Sequence, residues 1–273
     1  MNHIRLVAAR EIRMGLRNPW AYSFIGIFAV FMMILLLVNA QGYVAGYSGV
    51  TGTMLNLVLY LLPLMTLMLG SFSLTGEKED GGWELLSTYP LGTTAYIAGK
   101  YIGLTVVMLV IIFCGFGAAG VLGYAMGTGF QLQTYITLLG FSLSLMLMFL
   151  ALAMLVGTMA RNRWQALTIS VALWFFLVIA WAPALIAVLG MLPYTWIKPA
   201  VTMLTALNPA ELSRLFAVIS LGGGSVLGPE YYDWVQWIRR PSGTIAYAAF
   251  ALVWIGFVAG LANYLWERRR VRE

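Results

Sequence analysis

The residues best suited to chemistry in this 273-residue chain lie in one segment, "GEKEDGGWELLSTYPLGTTAYIAGK" at 76–100. Clustered carboxylates of this kind bind Mg²⁺ or act as general acids and bases. An enzyme site also needs further proton carriers or metal ligands, and the single histidine, His3, and the single cysteine, Cys114, lie elsewhere. The cluster therefore favours a docking surface for a partner protein, and we expect neither catalytic residues nor a metal site. The clustered carboxylates belong to Glu77, Glu79, Asp80 and Glu84.

A near match to the phosphate-binding loop G-x-x-x-x-G-K-[ST] occurs at 93–101, "TTAYIAGKY". Thr94 stands where the first glycine of that loop would be, and Tyr101 replaces the serine or threonine that should follow Lys100. The hydroxyl that would bind magnesium is therefore missing. We expect no ATP hydrolysis and no cofactor in this chain.

Composition indicates that this segment belongs to a membrane protein. The chain is 61% hydrophobic and 10% charged, with a mean hydropathy of +0.86. A soluble domain of this size lacks the polar surface to cover so much apolar area. Because lipid satisfies no backbone hydrogen bonds, we predict one all-α transmembrane domain over 1–273, with six spans of about 20 residues. The expected spans are about 20–39, 54–74, 101–126, 134–160, 164–190 and 244–266.

The distribution of lysine and arginine predicts the orientation of the spans. With both termini in the cytoplasm, twelve of the 16 basic residues lie on the cytoplasmic side and four lie in one long outer loop. The short outer loops, 40–53 and 127–133, carry no charge. We therefore expect a multi-pass protein of the cytoplasmic membrane, whose net charge of +6 reflects topology and contact with anionic lipid rather than nucleic acid.

Segment 3–17 has the pattern of an amphipathic helix that lies in the membrane interface. An apolar residue recurs every four positions on one face, and three arginines occupy the opposite face. An ordinary cationic flank to the first span is the alternative. The apolar face consists of Ile4, Ala8, Ile12 and Leu16, and the basic face of Arg10, Arg13 and Arg17.

The longest stretch between spans, 191–243, is expected outside the membrane as a re-entrant or gate region with two short helices. In "LNPAELSRL" at 207–215, Asn208 is suited to cap a helix that begins with Pro209, and Glu211 falls three residues after the cap. The second helix is expected within "GPEYYDWVQWIRRP" at 228–241. An outer gate formed around these residues and plain packing over the bundle remain equal alternatives.

The segment at 76–100 resembles the coupling loop of ABC-2 type permeases, the membrane subunits of one class of ABC exporters. The family pattern is a Gly-Glu, then Gly-Thr-x-Glu-x-Leu-Leu, a proline a few residues later and a lysine about ten residues after that. Gly82 and Trp83 depart from it, because threonine and leucine or methionine are usual there. The matching residues are Gly76, Glu77, Gly81, Glu84, Leu85, Leu86, Pro90 and Lys100.

The resemblance implies an elbow helix at 3–17, six spans, an outer two-helix element between spans five and six, and a coupling loop over 75–100. It implies a permease that pairs with a second copy and with a separate cytoplasmic ATPase, which holds the ATP and magnesium. Arg10, Arg13 and Arg17 of the elbow would support the ATPase. The docking residues would be Glu77, Glu79, Gly81, Trp83, Glu84, Leu85, Pro90 and Lys100.

Within the family, three short motifs are similar to the permeases that serve nitrous oxide reductase maturation. They are "GLRNPW" at 15–20, "TYPLG" at 88–92 and "LNPAELSRL" at 207–215. An extracytoplasmic accessory protein is a further expected partner, while the substrate and the choice between homodimer and heterodimer stay open. Two other function classes also stay open, an ion-coupled carrier and a membrane enzyme.

Overall fold

The computed structural model describes residues 2–40, 49–81, 92–125, 132–240 and 242–270, and every regular element in these ranges is helical. The predicted all-α class is therefore confirmed. The first five helices are α1 (Asn2–Gly15), α2 (Pro19–Ala40), α3 (Gly49–Glu79), α4 (Thr93–Ala125) and α5 (Leu132–Met159). They are followed by α6 (Arg163–Trp174), a π-helical segment (Phe175–Ala180), α7 (Trp181–Met191), α8 (Tyr194–Leu207), α9 (Pro209–Ser220), α10 (Tyr232–Arg239) and α11 (Gly243–Arg270).

Five helices among the described residues are long and apolar enough to cross a membrane. The first expected span falls in α2. Its apolar stretch among the described residues is Ala21–Ile34, which is shorter than the five long helices. The count of six spans therefore stays a prediction. The five long helices are Thr51–Glu79, Thr93–Ala125, Leu132–Met159, Arg163–Met191 and Gly243–Arg268.

The span formed by α6 and α7 is interrupted by the π-helical segment, which the sequence did not reveal. A π-helix widens the ring of backbone hydrogen bonds and occurs mostly as a short insertion within α-helices, often at functional sites. Phe175 and Phe176 on this segment are 52% and 49% exposed. No residue in the most apolar window of this span is buried within the single chain. The span therefore presents most of its surface outward.

The region between spans five and six contains three helices, α8, α9 and α10, so the expectation of a two-helix element is wrong. Two 3₁₀ turns, Gly223–Ser225 and Pro229–Tyr231, connect α9 to α10. The two helices that the sequence predicted correspond to α9 and α10. The additional helix, α8, carries an internal proline, Pro199, close to its start at Tyr194, which weakens any helix prediction there.

The predicted helix start at Asn208 is confirmed, and its side chain makes a second contact. The Asn208 side-chain oxygen accepts hydrogen bonds from the backbone N–H groups of Ala210 at 2.9 Å and Glu211 at 3.5 Å. Its side-chain nitrogen donates to the carbonyl oxygen of Leu177 at 2.8 Å. Because Leu177 lies in the π-helical segment, one buried amide joins the start of α9 to the interrupted span.

The face of α1 that packs against the bundle overlaps the apolar stripe expected at 3–17, since Ile4, Ile12 and Leu16 are half-buried, but its most buried side lies next to that stripe. The structure buries Val7, Ala8 and Glu11, whereas Leu6 is 67% exposed. Of these residues, only Ala8 belongs to the expected stripe. The difference has an electrostatic cause, since turning this face inward brings Glu11 to Lys100 of α4 at 2.8 Å.

Two glycines of α4 allow α1 to approach closely. Gly99 and Gly103 have the G-x-x-x-G spacing that lets two helix backbones come together. A Cβ atom at Gly99 would lie 2.7 Å from Cβ of Val7. A Cβ atom at Gly103 would lie 2.6 Å from Cβ of Glu11 and 2.9 Å from the backbone carbonyl oxygen of Ala8. Both sites are therefore too tight for a larger residue unless α1 shifts.

We expect Gly103→Ala to displace α1 and to lower stability by about 1–3 kcal/mol, the usual penalty of overpacking. The matched control is Gly117→Ala on the same helix, where a Cβ atom meets nothing within 4 Å. That change should be neutral or stabilising by up to about 1 kcal/mol because alanine favours helix. Thermal unfolding of the purified proteins in detergent, with hydrogen exchange of residues 3–15, measures both effects. Equal stability of the two variants would contradict the close packing of α1 on α4.

Candidate functional site

Three consecutive residues at the end of α3, Glu77, Lys78 and Glu79, each contact a different set of neighbouring helices. Successive residues of an α-helix point about 100° apart, so a single turn can reach in three directions. The turn lies at the end of the bundle where α1 and the last turns of α11 also lie. We call residues 76–80 the junction turn.

Glu77 joins the junction turn to α1 and α4. Its Oε1 atom lies 3.0 Å from Nη1 of Arg10 and 3.0 Å from Nζ of Lys100. The hydroxyl group of Tyr96 on α4 donates a hydrogen bond to the other carboxylate oxygen. The Glu77 side chain is 10% exposed, so its charge is balanced by these neighbours more than by solvent.

Lys100 is the centre of this charge cluster. Its side chain has 0% exposure, and its Nζ atom lies 2.8 Å from Oε2 of Glu11, which is 4% exposed. It also donates hydrogen bonds to the hydroxyl oxygen of Ser73 at 2.7 Å and to the Ser73 carbonyl oxygen at 3.2 Å. The Ser73 hydroxyl group in turn donates to the Glu11 carboxylate. A buried ammonium group therefore holds α1, α3 and α4 together through two carboxylates.

Lys78 joins the junction turn to α5 and α11. Its Nζ atom donates to the carbonyl oxygens of Gly157 at 2.8 Å, Thr158 at 3.2 Å and Ala160 at 2.8 Å. A cation at this position satisfies free carbonyl groups and opposes the negative end of the helix dipole. The same Nζ atom lies 4.8 Å from the centre of the Trp266 ring of α11. Lys78 therefore caps α5 and also contacts α11.

Glu79 and Asp80 join the junction turn to the start of α6. The backbone N–H of Arg163 donates to Oε1 of Glu79 at 2.8 Å, and the Arg163 guanidinium lies 3.3 Å from Glu79 and 3.2 Å from Asp80. These side chains are partly exposed, so the ion pairs are weak compared with the buried cluster. They join the end of α3 to the start of α6.

Gly81 ends the junction turn in the left-handed backbone region, at a φ of 67°. Glycine commonly ends helices in this way because it carries no Cβ atom. The chain then enters residues 82–91. The predicted docking residues in that stretch lie outside the described residues, and their role stays a prediction: they are Trp83, Glu84, Leu85 and Pro90.

The structure shortens the coupling loop expected at 75–100. Helix α3 continues to Glu79 and α4 begins at Thr93, so half of the expected loop, residues 75–79 and 93–100, is helical. Glu77 and Lys100 consequently face into the bundle, and Arg10 pairs with Glu77. The other elbow residues, Arg13 and Arg17, are exposed.

Glu11, Ser73 and Tyr96 belong to this cluster but were not expected there from the sequence. One signal was present, since Glu11 is the only acidic residue of α1 and Lys100 is the only charged residue of α4. Isolated opposite charges on apolar helices are expected to pair, because an unpaired buried charge is very unfavourable. Ser73 and Tyr96 offered no comparable signal.

A cavity of about 620 Å³ lies beside the junction turn, between α1, α3 and α6. Its wall includes Glu11, Ser73 and Glu77 from the buried cluster, and Arg163 and Trp164 from α6. Close packing is therefore interrupted between α1 and α6. Such a gap allows these two helices to shift relative to each other while α3 remains joined to both.

The predicted gate residues lie away from the junction turn, and Asn208 contacts the middle of the α6–α7 span at Leu177. Asn208 and Pro209 are buried at the start of α9. The Glu211 carboxylate contacts the Arg214 guanidinium one turn later, at 2.5 and 3.1 Å. The structure brings these residues together as a helix start but not into the junction turn, and their role as a gate stays a prediction.

Comparison with known proteins gives three matches. The sequence pattern of the family described as ABC-2 family transporter protein matches residues 5–271. A probable ABC transporter permease protein NosY from Pseudomonas aeruginosa is 30% identical over 278 aligned positions, which cover 97% of this chain and 98% of the relative. A protein of the same description from Stutzerimonas stutzeri is 29% identical, with 98% and 99% covered. The matches include α1, the junction turn and all the later helices.

We expect Lys100→Met to destabilise the protein by about 3–5 kcal/mol, because it leaves two carboxylates buried without their shared cation. Lys198→Met is the matched control. The Lys198 side chain is 63% exposed and pairs with Asp233 at 2.8 Å, so its loss should cost less than about 1 kcal/mol. Thermal unfolding followed by tryptophan fluorescence compares the two variants. Similar shifts in both would contradict a structural role for the buried cluster.

Proposed function

Because the chain belongs to the ABC-2 family of transporter proteins, we propose that it is the membrane subunit through which a separate cytoplasmic ATPase drives an exporter. Its family and its NosY-like character agree with the resemblance found in the sequence motifs. As a membrane subunit of an ABC transporter, the chain is a transport component rather than an enzyme. ATP and magnesium would be bound by the partner.

The junction turn is the observation that carries this proposal. It comes directly before residues 82–91, the segment that resembles a coupling loop, and it contacts α1, α4, α5, α6 and α11. A force applied to residues 82–91 or to α1 would reach those helices through Glu77, Lys78 and Glu79. ATP-dependent movement would then favour one of two arrangements of the spans, which is alternating access.

Two copies of the chain are proposed to form a homodimer in the cytoplasmic membrane, with both termini in the cytoplasm. The outward-facing span α6–α7 supports a second copy, since its surface is not covered within one chain. The lysine and arginine distribution supports the orientation. On this topology α8 and α10 would lie at the outer face and α9 would re-enter the bundle, where they would act as a gate or contact an extracytoplasmic accessory protein. The basic ends of the chain would contact membrane lipid.

A more specific role follows from the motifs shared with permeases of nitrous oxide reductase maturation. We propose that this chain acts in the maturation of the copper site of that enzyme, either by moving a substrate or by passing force to an outer partner. The similarity over nearly the whole length of both chains supports this role. The uncharged central parts of the spans favour an apolar or weakly polar cargo, or none.

The docking prediction is tested with a Trp83→Asp, Glu84→Lys double variant, purified in detergent from the cells that produce the chain. We expect the wild-type chain to retain a protein that carries a phosphate-binding loop and has vanadate-sensitive ATPase activity. The double variant should lose most of both, because it replaces an apolar contact and reverses a charge. The matched control is Trp196→Asp, Asp233→Lys at the opposite end, where both side chains are exposed.

Retention of the ATPase by the double variant at the wild-type level would exclude residues 82–91 as the dock. Equal loss in the control would show a general effect on folding instead of docking. If no ATPase accompanies the wild-type chain, the carrier and membrane-enzyme alternatives return.

The maturation role is tested separately by complementation. A Pseudomonas aeruginosa strain that lacks its own NosY relative should regain nitrous oxide reduction when this chain and its ATPase are expressed together. The Lys100→Met variant serves as the negative control, and the native relative serves as the positive one. If this chain assembles with its ATPase in that strain but reduction does not return, the maturation role is wrong, while the role as a membrane subunit stands.

A further inference from the structure

A second cavity, of about 510 Å³, lies at the end of the bundle opposite the junction turn. It is bounded by α7, α8, α9 and the 3₁₀ turn Pro229–Tyr231. Its volume is within the range of sites that hold a small organic molecule. The proposed function assigns nothing to it. Its apolar wall is formed by Leu185, Ile186, Leu189, Ile197 and Val201.

Polar groups are added to this apolar wall by α9 and the 3₁₀ turn. Glu211 and Arg214 pair within α9, and Tyr231 adds a phenol group. Burial, followed by the negative charge of Glu211, raises the pKa of Tyr231 above its ordinary value. The phenol therefore stays protonated at neutral pH and is available as a hydrogen-bond donor. The cavity thus combines a long apolar surface with charged and donating groups.

Glu230 gives the cavity an excess of negative charge. The wall carries two carboxylates, from Glu211 and Glu230, and one guanidinium, from Arg214, so its formal charge is −1. None of the ion pairs found among the described residues includes Glu230. An occupant with a cationic group would compensate this charge.

Trp181 contributes its indole ring to the cavity wall. Its indole nitrogen is buried and has no hydrogen-bond partner among the described residues. The ring packs edge-on against Phe176, with centroids 5.7 Å apart, which fixes its position. Because the nitrogen is enclosed by the chain, an occupant of the cavity would contact the indole ring and not its N–H group.

We propose that this cavity binds one phosphatidylethanolamine molecule from the lipid layer at that face of the membrane. The apolar surface of α7 and α8 would hold an acyl chain. The headgroup phosphate would accept a hydrogen bond from the Tyr231 phenol. The primary ammonium would donate to the Glu230 carboxylate. Phosphatidylcholine has a quaternary ammonium without N–H groups, so it cannot make this last contact.

Native mass spectrometry of the full chain, titrated with the two lipids carrying identical acyl chains, tests the proposal. We expect phosphatidylethanolamine to bind at least about threefold more tightly than phosphatidylcholine, the scale of one exposed charge pair. Glu230→Gln should abolish most of that preference. Tyr231→Phe should weaken binding by roughly fivefold, the loss of one hydrogen bond.

Asp233→Asn is the matched control, because it removes one carboxylate of the same region that pairs with Lys198 and does not line the cavity. It should leave both affinities unchanged. Equal binding of the two lipids would mean ordinary contact with surrounding lipid and would overturn the proposal. A preference for phosphatidylethanolamine that survives Glu230→Gln and Tyr231→Phe would place the lipid elsewhere and would also overturn it. Because Glu230 is exposed, its variant decides the result even if Tyr231→Phe fails to fold.

Discussion

The buried ammonium group of Lys100 is the constraint on which the arrangement of the bundle depends. It has no exposed surface, and its charge is compensated by Glu11 and Glu77, which come from two other helices. A buried charge is tolerated only when it is paired and hydrogen-bonded. The chain must therefore bring α1 and the end of α3 to the same point on α4. The glycines at 99 and 103 make that approach sterically possible.

From this fixed point the junction turn extends to the rest of the bundle. Lys78 holds the end of α5 and contacts Trp266 of α11, and Glu79 holds the start of α6. The buried contacts resist separation, whereas the partly exposed ion pairs to Arg163 and the adjoining cavity leave α6 freer to shift. This difference matches the proposed function, in which a force that enters beside the junction turn moves some helices relative to others.

Local sequence signals predicted local structure well and missed contacts between distant segments. The cap at Asn208 was predictable because a capping side chain acts on backbone groups only two or three residues away. The hydrogen bond from Asn208 to Leu177 and the pairing of Glu11 with Lys100 join segments that periodicity cannot relate. The π-helical segment was invisible for another reason, since its residues are as apolar as those of an ordinary span. The sequence singled out Glu77 and Lys100 as functional residues, but only the structure shows that both side chains face into the bundle.

The central claim is that the junction turn transmits movement from the ATPase to the spans. The direct measurement is the distance between spin labels at position 132, the start of α5, and position 186, in the middle of α7, with and without vanadate trapping of the assembled ATPase. Both native residues there are exposed, and Cys114 is first replaced by serine. The account predicts a distance change in the otherwise wild-type chain, and its loss in a Glu79→Ala, Asp80→Ala variant that still binds the ATPase. The same distance change in that variant would contradict the account.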